Sequence, residues 1–214
     1  MPQSPAEQTQ AGPANPPRML RENLALLALG ANLSCWAGPP EAAVRVALGR
    51  LGAEGLGLRA VSRFWRTPAH PAGSGPDYVN AAAVVAAGAM SPEAVLAALH
   101  RVEADLGRVR DGTRWGARVI DLDLLAMGAE VRPDAATQDR WRALPAAAQA
   151  QVAPDRLILP HPRLQDRGFV LAPLAEIAPG WVHPRLGQGV AAMLAALGPE
   201  GLAGMAPEGG RAQV

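Results

Sequence analysis

The order of elements in this sequence predicts an α+β fold: a ferredoxin-like βαββαβ sandwich, helices packed on an antiparallel sheet, with additions at the C-terminal end. Three observations carry it. The 214 residues suit one ordinary domain, and 49% hydrophobic residues with only 18% charged ones are too apolar for a disordered chain. Apolar residues recur at strand spacing in some segments and at helix spacing in others. These segments come in the order strand, helix, strand, strand, helix, strand.

Leu24 to Leu29 reads as a short buried strand that stops at Gly30. Pro39 and Pro40 open a helix in which Val44, Ala47, Leu48 and Leu51 recur at helical spacing up to Gly52. Leu58 to Arg66, with Val61, Phe64 and Trp65, has strand composition, and Val79 to Ala87 is the next strand. The twelve residues between them, Thr67 to Tyr78, are rich in Pro and Gly. A connection that long suits a binding loop or lid, and equally a plain surface loop. Ser91, Pro92 and Glu93 are a strong helix start, followed by Val95, Leu99, Val102 and Leu106 on one stripe up to Gly107. Val119 to Leu125 completes the motif as a strand.

The remainder is organised more loosely. Gly128 to Arg156 is a polar, Ala-rich extended insertion with a helix expected near Gln138 to Gln151, and Val190, Met193, Leu194 and Leu197 mark a final helix. The domain is expected over residues 22–198, between a disordered tail, 1–21, and a flexible tail, 199–214.

Composition excludes several chemistries. A formal charge of +1 gives no global attraction for nucleic acid or an anionic membrane, so anion binding must come from local clustering. The longest apolar-rich stretch, Val79 to Met90, is too short for a bilayer. The lone Cys35 allows neither an internal disulfide nor a thiolate metal site. Met1 to Pro17 has no basic start or apolar run of a signal peptide, so a cytoplasmic location is expected. All 20 basic residues are Arg, and the absence of Lys removes the P-loop lysine, the protein-kinase lysine and every Schiff-base mechanism. Arg and metal ions remain as phosphate clamps. No Gly-x-Ser-x-Gly elbow supports nucleophilic hydrolysis. Nothing in the chain requires more than a monomer.

In the strand around Ile120, Leu122 and Leu124, Asp121 and Asp123 share the opposite face. At about 3.3 Å rise per residue their Cα atoms lie about 6 to 7 Å apart, close enough to converge on one or two hard cations. Such a pair suits Mg²⁺, which accepts one or two carboxylates and fills its shell with water and phosphate oxygens. It also suits an ordinary wet strand face. The segment just before it, Gly107 to Arg118, holds Arg108, Arg110, Arg114 and Arg118 against Asp111, a net +3 in twelve residues. Cations facing a carboxylate pair have the logic of polyphosphate recognition. Further on, Leu159-Pro160-His161-Pro162 and Arg167-Gly168-Phe169 gather polar and aromatic groups in a loop region.

Four blocks together closely resemble the hydroxymethyldihydropterin pyrophosphokinase family of folate biosynthesis. They are Leu29-Gly30-Ala31-Asn32-Leu33; Thr67-Pro68 with Pro76-Asp77-Tyr78-Val79-Asn80; Gly107-Arg108 through Arg114-Trp115-Gly116-Ala117-Arg118-Val119-Ile120-Asp121-Leu122-Asp123; and Leu159-Pro160-His161-Pro162 with Arg167-Gly168-Phe169-Val170-Leu171. The resemblance implies transfer of an intact pyrophosphoryl group from ATP to the pterin hydroxymethyl oxygen, giving AMP, with two Mg²⁺ ions. It implies that Asp121 and Asp123 are metal ligands and that Arg108 and Arg118 clamp phosphates. His100, Glu103, Arg110, Trp115, Arg156, His161 and Arg167 would line the ATP site. Thr67, Pro68, Tyr78, Asn80 and Phe169 would form the pterin pocket, with Trp115 and Asp121 at its border, Tyr78 and Phe169 sandwiching the ring and Asn80 hydrogen-bonding its edge. The chain departs from the family pattern at Ala31, at Ala69-His70-Pro71, at Ala117 and at Ile158. Two other classes share the fold: a Mg²⁺-dependent nucleotidyltransferase or phosphohydrolase, against which the Tyr78, Asn80 and Phe169 pocket argues, and an RNA-binding module, which would need aromatics on central strands.

Overall fold

The computed structural model describes residues 23–69, 73, 75–108, 118–145, 148 and 152–209. The expected N-terminal tail therefore lies outside the described residues.

Strand β1 (Leu24–Ala31) runs through the middle of the sheet because it buries side chains on both faces. Ala25, Leu27, Leu29 and Ala31 point into one core and Leu24 and Leu26 into another, so the strand reads as a continuous apolar run. After it come α1 (Pro40–Arg50), β2 (Gly57–Val61), β3 (Trp65–Thr67) and β4 (Tyr78–Ala86). β4 repeats the two-faced pattern, with Val79, Ala81, Ala83 and Val85 on the first side and Ala82 and Val84 on the second. The chain continues through α2 (Pro92–Asp105), β5 (Asp121–Met127) and α3 (Ala135–Arg142). Last come α4 (Gly168–Ile177), α5 (Val190–Ala196) and the two-residue strand β6 (Ala206–Pro207).

All pairings are antiparallel and the strand order is β5-β1-β4-β3-β6, with β2 also on β4. Helices α1 and α2 cover one face through Val44, Leu48, Val95, Leu99 and Val102. This is the expected α+β, ferredoxin-like arrangement. α4 and α5 cover the other face through Val170, Leu171, Leu174, Val190 and Met193, together with Trp181. α2 forms as its sequence requires: Ser91 Oγ accepts the Ala94 N–H at 3.2 Å, Pro92 occupies the first turn, and Gly107 ends the helix with φ +91°.

Four local differences from the sequence expectation have physical causes. The segment Leu58–Arg66 is two strands, because Ser62 breaks the ladder and mends it with its own hydroxyl. Ser62 N–H donates to the Ala82 carbonyl at 3.0 Å while Ala82 N–H donates to Ser62 Oγ at 2.9 Å. In the insertion, the helix begins at Ala135, upstream of the expected Gln138–Gln151, because Asp134 caps it: the Thr137 N–H and hydroxyl donate to the Asp134 carboxylate at 2.8 and 2.9 Å. Phe169 lies in α4, where a loop was expected. That helix is apolar nearly all round and carries Pro173, so it shows no amphipathic stripe. Finally, residues 199–209, expected to begin a loose tail, form a short 3₁₀ turn at Glu200–Leu202 and then β6 on the sheet edge.

Candidate active site

The alternation of β5 sends Leu122 and Leu124 into the α1/α2 core and leaves Asp121 and Asp123 on the α4 face, with side chains 28% and 37% exposed. Across the sheet, Asp121 is the register partner of Gly30, Gly30 of Asn80, and Asn80 of Trp65. Asp121, Asn80 and Trp65 therefore occupy one transverse row on one face. Gly30 is the gap in that row: a Cβ there would come within 2.8 Å of Asn80 Oδ1. Asn80 is buried and its amide is fixed, since its Nδ2 donates to Thr67 Oγ1 at 2.7 Å. Trp65 closes the row by donating its indole N–H to Glu176 of α4 at 3.1 Å, and Arg63 grips the same carboxylate at 2.8 and 3.0 Å.

Guanidinium groups surround the carboxylates. Arg108 reaches both Asp121 Oδ1 and Glu103, and Arg118 donates to Asp121 Oδ2 at 2.6 Å. Arg167 stands 3.9 Å from Asp123 Oδ2. Burial opposes the charge on Arg108, but Asp121 and Glu103 beside it outweigh that and raise its pKa. Burial, reinforced by Arg163, pulls Arg167 down, with Asp123 pulling the other way. Glu103 is 1% exposed, and besides Arg108 its Oε1 accepts the Leu122 N–H at 2.8 Å. It is thus the post that fixes Arg108 relative to β5. A buried carboxylate survives only when paired and hydrogen-bonded in this way.

On the other side of the row, burial raises the Tyr78 phenol above its usual range, and Arg118 and Asp121 are close enough to oppose and to add to that shift. Tyr78 pairs with Thr67 in the β3–β4 ladder, and Pro68 follows at the end of β3. Phe169, 38% exposed, has the Arg167 guanidinium 5.6 Å from its ring centroid. His161 is neutral: its Nδ1 accepts the Arg163 N–H at 3.2 Å, and burial with Arg167 and Arg163 nearby pushes its pKa down to about 3. Its backbone N–H donates to Leu125 O at 2.7 Å, which ties the loop before α4 to β5.

Arg108, Arg118, Asp121, Asp123, Arg167, Tyr78, Asn80, Thr67 and Phe169 are thus joined by register, ion pairs and ring contacts. His100 lies one turn before Glu103 on α2 and is partly exposed. Arg156 is tied to Asp155 at 3.1 Å, and no hydrogen bond or ion pair among the described residues connects it to Asp121 or Asp123. It lines a separate cleft of about 560 Å³ with Thr137 and Trp141 of the insertion. Arg110 and Trp115 lie outside the described residues, as do His70, Pro71 and Ala117. A cleft of about 440 Å³ between Asn32, Glu41, Arg66 and Asp77 borders the site through Asn32.

Asn32, in the Leu29-Gly30-Ala31-Asn32-Leu33 block, takes on a role only in the folded structure. Its Oδ1 accepts the Arg118 N–H at 2.7 Å, its backbone N–H donates to the Arg118 carbonyl at 3.0 Å, and its Nδ2 donates to the Pro76 carbonyl at 3.1 Å. One buried amide therefore links the end of β1, the base of Arg118 and the loop before Tyr78. The signal available was an Asn directly after a fully apolar strand, a position where a polar side chain is buried only to satisfy backbone groups.

Residues 26–179 match the model of the 7,8-dihydro-6-hydroxymethylpterin-pyrophosphokinase (HPPK) family. The chain is 38% identical over 181 residues to the 2-amino-4-hydroxy-6-hydroxymethyldihydropteridine pyrophosphokinase of Methylorubrum extorquens, covering 83% of this chain and 96% of the relative. It is 34% identical over 160 residues to the protein of that name from Haemophilus influenzae, covering 75% and 84%. A third relative of that name, from Synechocystis, is 40% identical over 113 residues, and the match spans about half of each, 53% and 47%. Among solved structures, the wild-type Plasmodium falciparum HPPK-DHPS aligns with a TM-score of 0.55 at 13% identity, over 81% of this chain and 44% of that one. At that identity the likeness speaks for the fold. The chain belongs to the HPPK family.

Proposed function

We propose that this chain transfers the β,γ-pyrophosphoryl group of ATP, as one unit, to the hydroxymethyl oxygen of 6-hydroxymethyl-7,8-dihydropterin, a step of folate biosynthesis. A C–O–P bond forms at the β-phosphorus, the bond from that phosphorus to the α-phosphate oxygen breaks, the hydroxyl proton is released and AMP leaves. The observation that supports this best is the transverse row: a fixed amide at Asn80, a gap at Gly30, and a carboxylate–guanidinium cluster at Asp121. Asp121 and Asn80 sit two strand spacings apart, about 9 to 10 Å. That separation suits a flat heterocycle reading Asn80 with its side arm directed at the cations.

In this reading Asn80 and the Thr67 hydroxyl recognise the polar edge of the pterin. Tyr78 and Phe169 flank its rings, where stacking suits a flat polar heterocycle, and Pro68 walls the pocket. Arg108, Arg118 and Arg167 hold the polyphosphate and neutralise charge spread over its oxygens during transfer. His100, Arg110, Trp115 and His161 complete the nucleotide side, while Arg156, which lines the separate cleft of the insertion, is assigned there by the resemblance alone.

Asp121 and Asp123 fit Mg²⁺: they are hard oxygen donors on one partly open face, and they come as a pair, as suits a cation that takes its other ligands from water and phosphate. Among the described residues no group of three or more His, Cys, Asp or Glu side chains offers a metal cage. Two such ions would supply charge neutralisation and hold the phosphates in line. In the structure described here the Asp121 oxygens are occupied by Arg108 and Arg118, so these guanidinium groups are poised to exchange a carboxylate for phosphate.

Incubation with ATP, Mg²⁺ and the reduced pterin tests the reaction. AMP and pterin diphosphate in equal amounts are expected. Release of inorganic pyrophosphate or of ADP would overturn the reading, the first pointing to nucleotidyl transfer and the second to single phosphoryl transfer.

A further inference from the structure

The segment after α5 touches both walls of the pocket assigned above. Gly201 lies against the N-terminus of α4, so closely that a Cβ on Gly168, the residue before Phe169, would come within 2.0 Å of the Gly201 carbonyl oxygen. A few residues on, Gly204, with φ +71°, packs against Pro68: a Cβ there would meet Pro68 Cγ at 2.7 Å. The chain then pairs with β3, Ala206 opposite Arg66 and Pro207 opposite Trp65. Glu208 fastens its end, donating its N–H to the Phe64 carbonyl at 2.7 Å and accepting from Arg66 at 2.6 Å. β3 has only three residues, and beyond β4 the strand β6 is its neighbour in the sheet.

From these contacts we infer that residues 199–209 form a clasp that sets the distance between the Pro68 wall and the Phe169 wall, and so act as positioning residues for the pterin. The inference rests on the pterin-pocket reading given above. Backbone-on-backbone contact at Gly168 and Gly201 transmits position with little slack, because a main chain cannot rotate away as a side chain can. The Arg66–Glu208 ion pair is half exposed and adds little by itself. The two glycine contacts and the β3–β6 pairing carry the function.

The clasp has a kinetic signature that general stabilisation lacks. Deleting residues 199–214 is expected to raise the KM for the pterin about tenfold and the KM for ATP by clearly less, about two- to threefold, with kcat little changed, because Pro68 and Phe169 both face the pterin whereas only Arg167, beside Gly168, faces the polyphosphate. Adding a synthetic peptide of residues 199–209 is expected to restore the pterin KM by re-pairing with β3. Should the truncated chain fail to fold, Gly204→Ala in the full chain decides, since its methyl group pushes on Pro68 and is expected to shift the same constant in the same direction. A folded variant with unchanged pterin KM, or with both substrate constants raised equally, would overturn the clasp. Intact protein is assayed first: absence of AMP there would sink the pyrophosphokinase reading, whereas turnover with unaffected variants sinks the clasp alone.

Discussion

Asp121 and Asn80 stand on the same row of the sheet, on opposite sides of Gly30, and face the same side. A strand glycine is ordinarily a weakness, since it packs nothing and costs backbone entropy. Here it leaves room for the Asn80 amide beside the Asp121 carboxylate, the two groups that on the proposed function read the pterin and face the polyphosphate.

Gly30→Ala places a methyl group 2.8 Å from Asn80 Oδ1, so the amide must shift or lose its bond to Thr67. Pterin affinity is expected to fall at least about tenfold while ATP-analogue affinity is kept. Isothermal titration with each ligand separately checks this, and equal losses for both would contradict it.

Asp121→Ala combined with Asp123→Ala is expected to abolish Mg²⁺-dependent turnover and leave the fold intact, because both side chains sit on the partly open face and contribute little packing. Circular dichroism and the AMP assay together decide. Retained turnover in the folded double variant would end the metal assignment.

Arg118 and Asn80 separate chemistry from binding. Arg118 donates to Asp121, and on the proposed function it faces the charge that develops during transfer, so Arg118→Ala is expected to lower kcat by about a hundredfold or more, the scale for loss of one transition-state donor. Asn80→Ala is expected to raise the pterin KM instead. Steady-state kinetics showing the reverse split would mean that the two roles are exchanged.

Two histidines with depressed pKa values, the half-buried His161 and the buried His183, add to the loss of stability towards acid pH. Burial, with the neighbouring Arg167 and Arg163, lowers His161 to about 3, and burial with Arg142 lowers His183 to about 4. A histidine depressed on folding contributes stability that is fully present above its unfolded value, about 6.5, and is lost as pH falls towards the folded one. Urea midpoints of the metal-free protein are expected to fall steadily below pH 6.5, and His183→Gln should flatten that slope. An NMR titration placing either ring near 6.5 would refute the assignment.

Much of this was legible from residue patterns. The central strands announced themselves because two-faced burial writes long apolar runs, and α2 because Ser91, Pro92 and a clean stripe mark it. Strand alternation alone puts the Asp121 and Asp123 carboxylates on one face. What stayed hidden depended on contacts distant in sequence. Ser62 breaks a strand by bonding to Ala82, α4 is apolar on all sides, and Glu103 acquires its purpose only when Leu122 and Arg108 close around it. The row from Asp121 to Trp65 is a product of register, which local periodicity does not encode.

The most direct test is a crystal structure of the protein with Mg²⁺, a non-hydrolysable ATP analogue and the hydroxymethyl pterin. The expected result has the pterin edge on Asn80, its ring between Tyr78 and Phe169, its side arm passing over Gly30, and the polyphosphate between the Asp121–Asp123 pair and Arg108, Arg118 and Arg167. A pterin bound away from Asn80, or a polyphosphate held away from Asp121 and Asp123, would contradict it.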